Sequence, residues 1–299
     1  MVVGLVGCGR WGRHILRDLI ALGCEVPVVA RSEASRTRAE EGDATAIVAD
    51  VASLPRLDGV VVATTTSSHA TVLDEVLELG VPVYCEKPLC NDEGEATRLA
   101  AHSPDRLFVM DKWRYHPGVV ELARIAGEER LGRVAGLTSV RTGWGSPHDD
   151  VDALWVLAPH DLSIALEVLG SVPRARSAVA QTLEGQIVRL SGLLDCAGWW
   201  QVVEVSARSP QRIRRIELHC ADGVAVLAGA WDEHVTVFRE GGDEPEETRI
   251  ETPGELPLLA SLRVFVEHLD GGPPPKSTAA DGAAIVTALA ELRRLAGSS

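Results

Sequence analysis

The sequence predicts an α/β chain in two parts: a doubly wound parallel sheet, then an α+β part built on a large open sheet of mixed or antiparallel strands. Three observations carry this. Over roughly the first 115 residues, short and continuously apolar runs alternate with segments of helical period. The first of those runs ends in the glycine-rich turn Gly7-Cys8-Gly9-Arg10-Trp11-Gly12. Beyond that region β-patterned runs follow one another with turn signals, such as Asp222-Gly223 and Gly241-Gly242, and no helices between them. Short apolar strands alternating with helices mean a parallel sheet covered on both faces. Consecutive strands without helices mean an antiparallel or mixed sheet.

In order, the first part offers strands at 2–7, 26–30, 45–48, 59–63, 82–85 and 107–110, with helical segments at 13–22, 69–80 and 93–102 among them. The second part opens with a helix at 117–129 and a β-run at 134–142, then a helix at 153–169. β-runs follow at 176–182, 186–194, 201–208, 214–219, 224–227 and 235–239. Gly271-Gly272-Pro273-Pro274-Pro275 breaks the chain before a last helix at 279–295. The expected domains are therefore 1–115 and 116–299, with the last helix packing back on the first domain.

At 299 residues, 45% hydrophobic and 24% charged, the chain has room for two proper cores. A formal net charge of −14 argues against nucleic-acid or anionic-membrane partners. No apolar stretch approaches the ~20 residues that span a bilayer, and the start Met1-Val2-Val3-Gly4 lacks a basic leader. The six cysteines are scattered without a CxxC pair, which fits reduced thiols in a cytoplasm and no metal site.

Gly7-Cys8-Gly9-Arg10-Trp11-Gly12 matches G-x-G-x-x-G between an apolar strand and an amphipathic helix, the context that motif requires. The first glycine permits the turn, the second lets a pyrophosphate reach the backbone, and the third lets helix and strand pack closely. The helix N-terminus offers N–H groups to the phosphates. The second strand then chooses between nicotinamide cofactors. It ends Val29-Ala30-Arg31-Ser32, without the carboxylate that would take a ribose 2′-hydroxyl, and Arg36 and Arg38 follow. Cations and a hydroxyl there suit a 2′-phosphate, which favours NADP over NAD. In the other reading Arg31 stacks on adenine and Glu33 holds the ribose.

All but three of the 29 basic residues are arginines; the lysines are Lys87, Lys112 and Lys276. Lys87 stands in Glu86-Lys87-Pro88 after an apolar run. A desolvated amine can change protonation near neutrality and a guanidinium cannot, so Lys87 is a candidate proton donor or acceptor. A strand-end salt bridge with Glu86 is the plainer alternative. In the second part His160 begins the His160-Asp161-Leu162-Ser163 stretch of a helix, and its residue type suits general acid–base work.

Four elements occur in order: the glycine turn, Ala63-Thr64-Thr65-Thr66-Ser67-Ser68-His69, Glu86-Lys87-Pro88, and His160. Together they resemble the glucose-fructose oxidoreductase/inositol dehydrogenase (Gfo/Idh/MocA) family, over essentially the whole length. The resemblance implies an N-terminal Rossmann domain and a C-terminal sheet that commonly forms a subunit interface, hence a dimer or tetramer. It implies that Lys87 contacts the reacting oxygen with His160 beside it, and that His69 caps the helix after the fourth strand near the cofactor. It also implies that Trp113, Arg114, Tyr115, His116 and Pro117 form a junction segment whose Arg and aromatic side chains line the nicotinamide end. The expected cofactor set is Gly7, Gly9, Arg10, Trp11, Gly12, Arg31, Ser32, Arg36, Thr64, His69, Glu86, Lys87 and Arg114.

One departure stands out. The family often has Asp four residues before this histidine, and here the position is Val156. Asp152 and Asp161 are the candidate stand-ins. Aromatic and carboxylate residues suited to polyhydroxy ligands are Tyr115, Trp144, His148, Asp149, Asp150, Asp152, Trp155, His160 and Asp161, unless Trp155 is core and 149–152 a solvated turn. The expected reaction is hydride transfer between nicotinamide C4 and a hydroxyl or keto carbon of a sugar, nucleotide-linked sugar or cyclitol. The alternatives are a C=N or C=C reductase on the same fold and a non-catalytic cofactor-binding sensor.

Overall fold

The computed structural model describes residues 1–145, 150–196, 198–241 and 244–297. The chain forms two compact units: Met1–Lys112 with Leu256–Val286, and Trp113–Glu255 with Thr287–Ser299. The expected 1–115/116–299 division falls three residues from the first crossing. It differs more at 256–286, which group with the first unit.

The first unit holds strands β1 (Val3–Val6), β2 (Pro27–Val29), β3 (Ala46–Val48), β4 (Gly59–Val62), β5 (Val83–Glu86) and β6 (Leu107–Met110). They form one parallel sheet in the order β3-β2-β1-β4-β5-β6. Its helices are α1 (Gly12–Ala21), α2 (Glu33–Glu41), α3 (His69–Leu77) and α4 (Glu93–His102). The central strands are buried on both faces, as their unbroken apolar sequences require. Helix α7 (Pro257–Leu269) also belongs here. Leu258, Leu262 and Phe265 lie on one face at helical spacing and enter the core, where Phe265 stacks on Tyr84 with ring centroids 5.0 Å apart. That burial is the physical reason 256–286 leave the second unit. Because the strands are parallel, their C-terminal ends share one edge, and the order reverses between β1 and β4. A ligand crevice forms at such a switch point.

The second unit carries α5 (Pro117–Gly127), β7 (Val134–Trp144), α6 (Ala153–Leu169), β8 (Arg174–Leu183), β9 (Gln186–Cys196), β10 (Trp199–Ser206), β11 (Arg208–Cys220), β12 (Gly223–Leu227), β13 (His234–Arg239) and β14 (Glu246–Glu251). These eight strands form one mixed sheet in the order β14-β13-β12-β11-β7-β10-β9-β8. β7 and β10 are parallel and their other neighbours antiparallel. Val119, Leu122 and Ile125 of α5 and Ile164, Ala165 and Val168 of α6 cover Leu137, Ile216, Leu218 and Val235 of the sheet. The last helix, α8 (Ala279–Leu295), is continuous, with 279–286 grouped in the first unit and 287–295 in the second.

Candidate active site

The C-terminal edge of the parallel sheet gathers the first unit's candidate residues. Gly7 follows β1 with φ +96°, and a Cβ there would stand 2.7 Å from the Ala63 carbonyl oxygen after β4. A Cβ on Gly12 would stand 2.3 Å from the Gly7 carbonyl oxygen, so only glycine lets α1 start this close to β1. Gly9 differs: nothing lies within 4 Å of its Cβ position. The turn is thus packed beneath and open above. Its Cys8 amide donates to Ser35 Oγ (3.1 Å), which ties it to α2. Helix α1 has no side-chain N-cap and no acidic residue in its first turn. A close-packed turn with an open second glycine and an uncapped helix start fits the pyrophosphate of a dinucleotide.

Trp11 links this turn to the end of β5. Its Nε1–H donates to Glu86 Oε1, and the Lys87 amide donates to Glu86 Oε2 (3.1 Å). Glu86 is buried while Lys87, one residue on, is half-buried and precedes a cis bond to Pro88. Burial pushes the Glu86 carboxyl up, and Lys87, Lys112, the indole N–H and the Lys87 amide pull it back. In the sequence Lys112 is marked only by the rarity of lysine. Its Nζ lies 3.8 Å from the centroid of the Trp11 ring, whose indole binds Glu86, and its charge acts on that carboxylate as Lys87's does.

His69 is the first residue of α3, but its ring does not act as the expected helix cap. Nδ1 lies 2.9 Å from the Pro88 carbonyl oxygen and Nε2 3.3 Å from that of Thr64, with Cys85 Sγ 3.6 Å from Nδ1. The buried ring braces the Lys87–Pro88 turn against the segment after β4, where Ser68 Oγ–H donates to Thr64 Oγ1 (3.0 Å). At the end of β2, Arg31 forms a 2.8 Å ion pair with Glu75, both residues well exposed. Ser32 N-caps α2 by accepting from the Ser35 amide, and Arg36 on the same helix is exposed, as is Arg10 in the glycine turn.

The second unit builds a separate cluster around Trp113. His116 stacks on it (centroids 4.9 Å, planes 8° apart), the Arg141 guanidinium lies 4.4 Å from its centroid, and His160 stands 6.4 Å away. Arg141 and Asp161, both almost fully buried, form a forked pair with contacts of 3.1–3.2 Å. The Gln201 amide donates to the Asp161 carbonyl (2.9 Å), which fixes α6 to β10. Burial, with Arg141 and Arg212 nearby, pulls Arg214 down to about 10.

Several site expectations land elsewhere. Asp152 is the N-cap of α6: one oxygen accepts from the Leu154 and Trp155 amides, the other from the Ile187 amide and Arg293. Asp152 is thus committed to the cap and Asp161 to Arg141, a structural account of both candidate stand-ins for the carboxylate absent at Val156. Trp155 lies in the core. Arg114 pairs with Glu167 at 3.0 Å, beside half-buried Tyr115. Trp144 is 71% exposed under the Arg208 guanidinium. His148 and Asp149 lie outside the described residues. Among those described, no cluster of His, Cys, Asp and Glu could hold a metal, and no helix is long and apolar enough to cross a membrane.

Residues 1–107 match the family model described as the Gfo/Idh/MocA oxidoreductase family, NAD-binding Rossmann fold. The chain is 31% identical to inositol 2-dehydrogenase 2 of Saccharopolyspora erythraea over 57% of this chain and 54% of that protein. It is 28% identical to D-apiose dehydrogenase of Paraburkholderia graminis, over 69% and 60% of the two chains. The chain spans about half the length of these and other curated inositol dehydrogenases it matches. Among solved structures, UDP-N-acetylglucosamine 3-dehydrogenase of Acidithiobacillus ferrooxidans aligns over 99% of this chain and 97% of that one, with a TM-score of 0.84 at 20% identity. A levoglucosan dehydrogenase complexed with NADH and levoglucosan reaches 0.88 at 17% identity, with the same coverage. These two likenesses are of fold.

Proposed function

We propose that the chain is a nicotinamide-dependent oxidoreductase of the Gfo/Idh/MocA type, whose family model its first 107 residues match, acting on a hydroxyl or keto carbon of a sugar, nucleotide-linked sugar or cyclitol. The observation that carries this reading is the Trp11–Glu86 bond. It ties the open glycine turn to the residue before Lys87, so one edge of one sheet presents a phosphate cradle and an amine together. The names of the matched dehydrogenases support the substrate class.

Gly7, Gly9 and Gly12 with the start of α1 would hold the pyrophosphate, and a bound nicotinamide would supply or accept the hydride. Lys87 as an ammonium stabilises the developing alkoxide during reduction and gives it a proton; in oxidation the free amine takes that proton back. Glu86 holds the backbone of Lys87 through its amide. His160 is the second unit's candidate acid–base group, adjoining the Trp113 cluster. NADP is the favoured cofactor, because the end of β2 carries exposed Arg31 and Ser32 and no carboxylate. Self-association through the eight-stranded sheet is proposed from its exposed apolar residues Val179 and Leu193. A cytoplasmic location is proposed with it.

The test is NADPH oxidation, and NADP⁺ reduction, across keto-sugars, nucleotide-linked keto-sugars, keto-cyclitols and their alcohols, with NADH and NAD⁺ in parallel. Turnover on one of these classes is expected. Lys87→Ala is expected to lower kcat by about 10²- to 10⁴-fold while retaining cofactor binding, and near-normal turnover in that variant would overturn the assignment. His160→Asn tests the second group independently; an unchanged kcat would leave the proton chemistry to Lys87 alone.

A further inference from the structure

The chain almost always uses arginine for its cations, yet the charges of two of its three lysines act on one buried carboxylate. Lys87 follows β5 and Lys112 follows β6, neighbouring parallel strands whose last registered pair is Glu86 with Met110. The Lys112 ammonium rests 3.8 Å from the centroid of the Trp11 ring, and that same indole donates its N–H to Glu86. Glu86 completes the set by accepting from the Lys87 amide. A cation, an aromatic face, a buried carboxylate and the backbone amide of Lys87 are thus joined in one chain of contacts, and the charges of both lysines act on that carboxylate.

We propose that Lys112 is a positioning residue for Lys87: its charge, held by Trp11 and shared through Glu86, keeps the Lys87 amine able to release its proton near neutral pH. The inference rests on the catalytic reading of Lys87 and extends it to a residue that reading does not include. The physics is like-charge repulsion across a shared counter-ion. Alone, an ionised Glu86 would hold Lys87 protonated. A second ammonium acting on that carboxylate opposes the charge on Lys87, and an amine under the field of another cation gives up its proton more readily.

The other charged and titratable groups around this set are placed as follows. From α1, His14 lies with its ring centroid 5.6 Å from that of Trp11, and burial with Arg13, Arg17 and Lys112 pulls it down while Asp18 opposes them. Buried Asp111 precedes Lys112 at the end of β6. From the β5 side, His69 holds the Pro88 carbonyl, and the Cys85 thiol is pushed well up by burial and by Glu86. Arginine at position 112 would supply the same charge, so the proposal separates charge from packing.

The experiment titrates the amines directly. Reductive ¹³C-methylation labels all three lysines, and Lys87→Arg, Lys112→Arg and Lys276→Arg variants assign the three NMR signals. The expected result is that Lys112→Gln moves the Lys87 midpoint to higher pH by about half a unit or more, while Lys112→Arg leaves it near the wild-type position. In turnover, the limb of the kcat/KM profile governed by Lys87 shifts the same way. An unchanged Lys87 midpoint in Lys112→Gln would overturn the proposal. So would an equal shift in Lys112→Arg, because that would mark a packing effect. The NMR titration needs no substrate, so a failed substrate panel and a failed positioning role give different results.

Discussion

The Arg141–Asp161 pair lends itself to a quantitative test of what holds the second unit's cluster together. Both side chains are almost fully buried, at 3% and 1% exposure, with contacts of 3.1–3.2 Å. At an effective dielectric of about 20, unit charges at that distance attract by roughly 5 kcal/mol. Burying each ion costs several kcal/mol, so the pair as a whole is close to neutral for stability. Removing one partner is another matter. Asp161→Asn leaves the Arg141 guanidinium buried beside Arg214 without its counter-charge, at an expected cost of about 3–5 kcal/mol. For a unit of this size that lowers its melting temperature by on the order of 10 °C. The double variant Arg141→Met/Asp161→Leu is expected to recover most of the loss, because it removes both charges and fills the space. Calorimetry or circular-dichroism melts of the full chain would follow the second unit's transition. A single-variant loss below about 1 kcal/mol, or a double variant as unstable as the sum of the two singles, would refute the argument. The pair also supports function: Arg141 lies over Trp113, and Asp161 follows His160 on α6, so Asp161→Asn should disturb the surroundings of His160 as well.

Three further outcomes are expected. Gly7→Ala and Gly9→Ala should separate folding from binding. The first puts a Cβ 2.7 Å from backbone oxygen at φ +96° and should destabilise the chain by about 2 kcal/mol or more. The second meets open space, should melt normally, and should weaken NADPH binding at least tenfold in a fluorescence titration; unweakened binding would place the pyrophosphate elsewhere. Glu75→Gln releases Arg31 from an exposed ion pair, so stability should change by less than about 1 kcal/mol. NADPH affinity should rise several-fold relative to NADH, and no change would remove Arg31 from the 2′-phosphate site. His116 gives the pH prediction: Nδ1 accepts from the Gly118 amide and Nε2–H donates to the Ala230 carbonyl, so the ring must be neutral. Burial pulls its pKa below the ordinary value. Its contribution is therefore complete above about pH 6.5 and is lost as pH falls through the folded value. Melts at pH 7 and pH 5 should differ less in His116→Asn than in the wild type, and equal differences would sink the assignment.

Much of the fold was legible because its physics is local. The strands of the parallel sheet are apolar without interruption, and helices 93–102, 153–169 and 279–295 were bounded to the residue. The remaining elements have no local signature, or have one that does not say where the element packs. β14 reads Glu-Glu-Thr-Arg-Ile-Glu and is exposed at five of six positions, so no alternation marks it. β11 begins with polar, exposed residues and breaks register between Arg208 and Ile213, which hid its first half. α7 shows the i, i+4, i+7 spacing of Leu258, Leu262 and Phe265, yet only the folded chain reveals that this face belongs to the first core.

The site divides along the same line. Gly7, Gly12 and the absent carboxylate after β2 are legible because a turn and a strand end are local objects. Partners are not: 75 residues separate Trp11 from Glu86, and nothing in either segment names the other. For the same reason the sequence offers Asp152 and Asp161 as stand-ins for the carboxylate absent at Val156 without showing that an N-cap, Arg293 and Arg141 engage them. Lys112 shows the one signal that does cross such distances. In a chain that writes nearly every cation as arginine, a retained lysine marks a place where a compact or titratable charge matters. The chain has three such positions, and in the fold the charges of two of them act on one carboxylate.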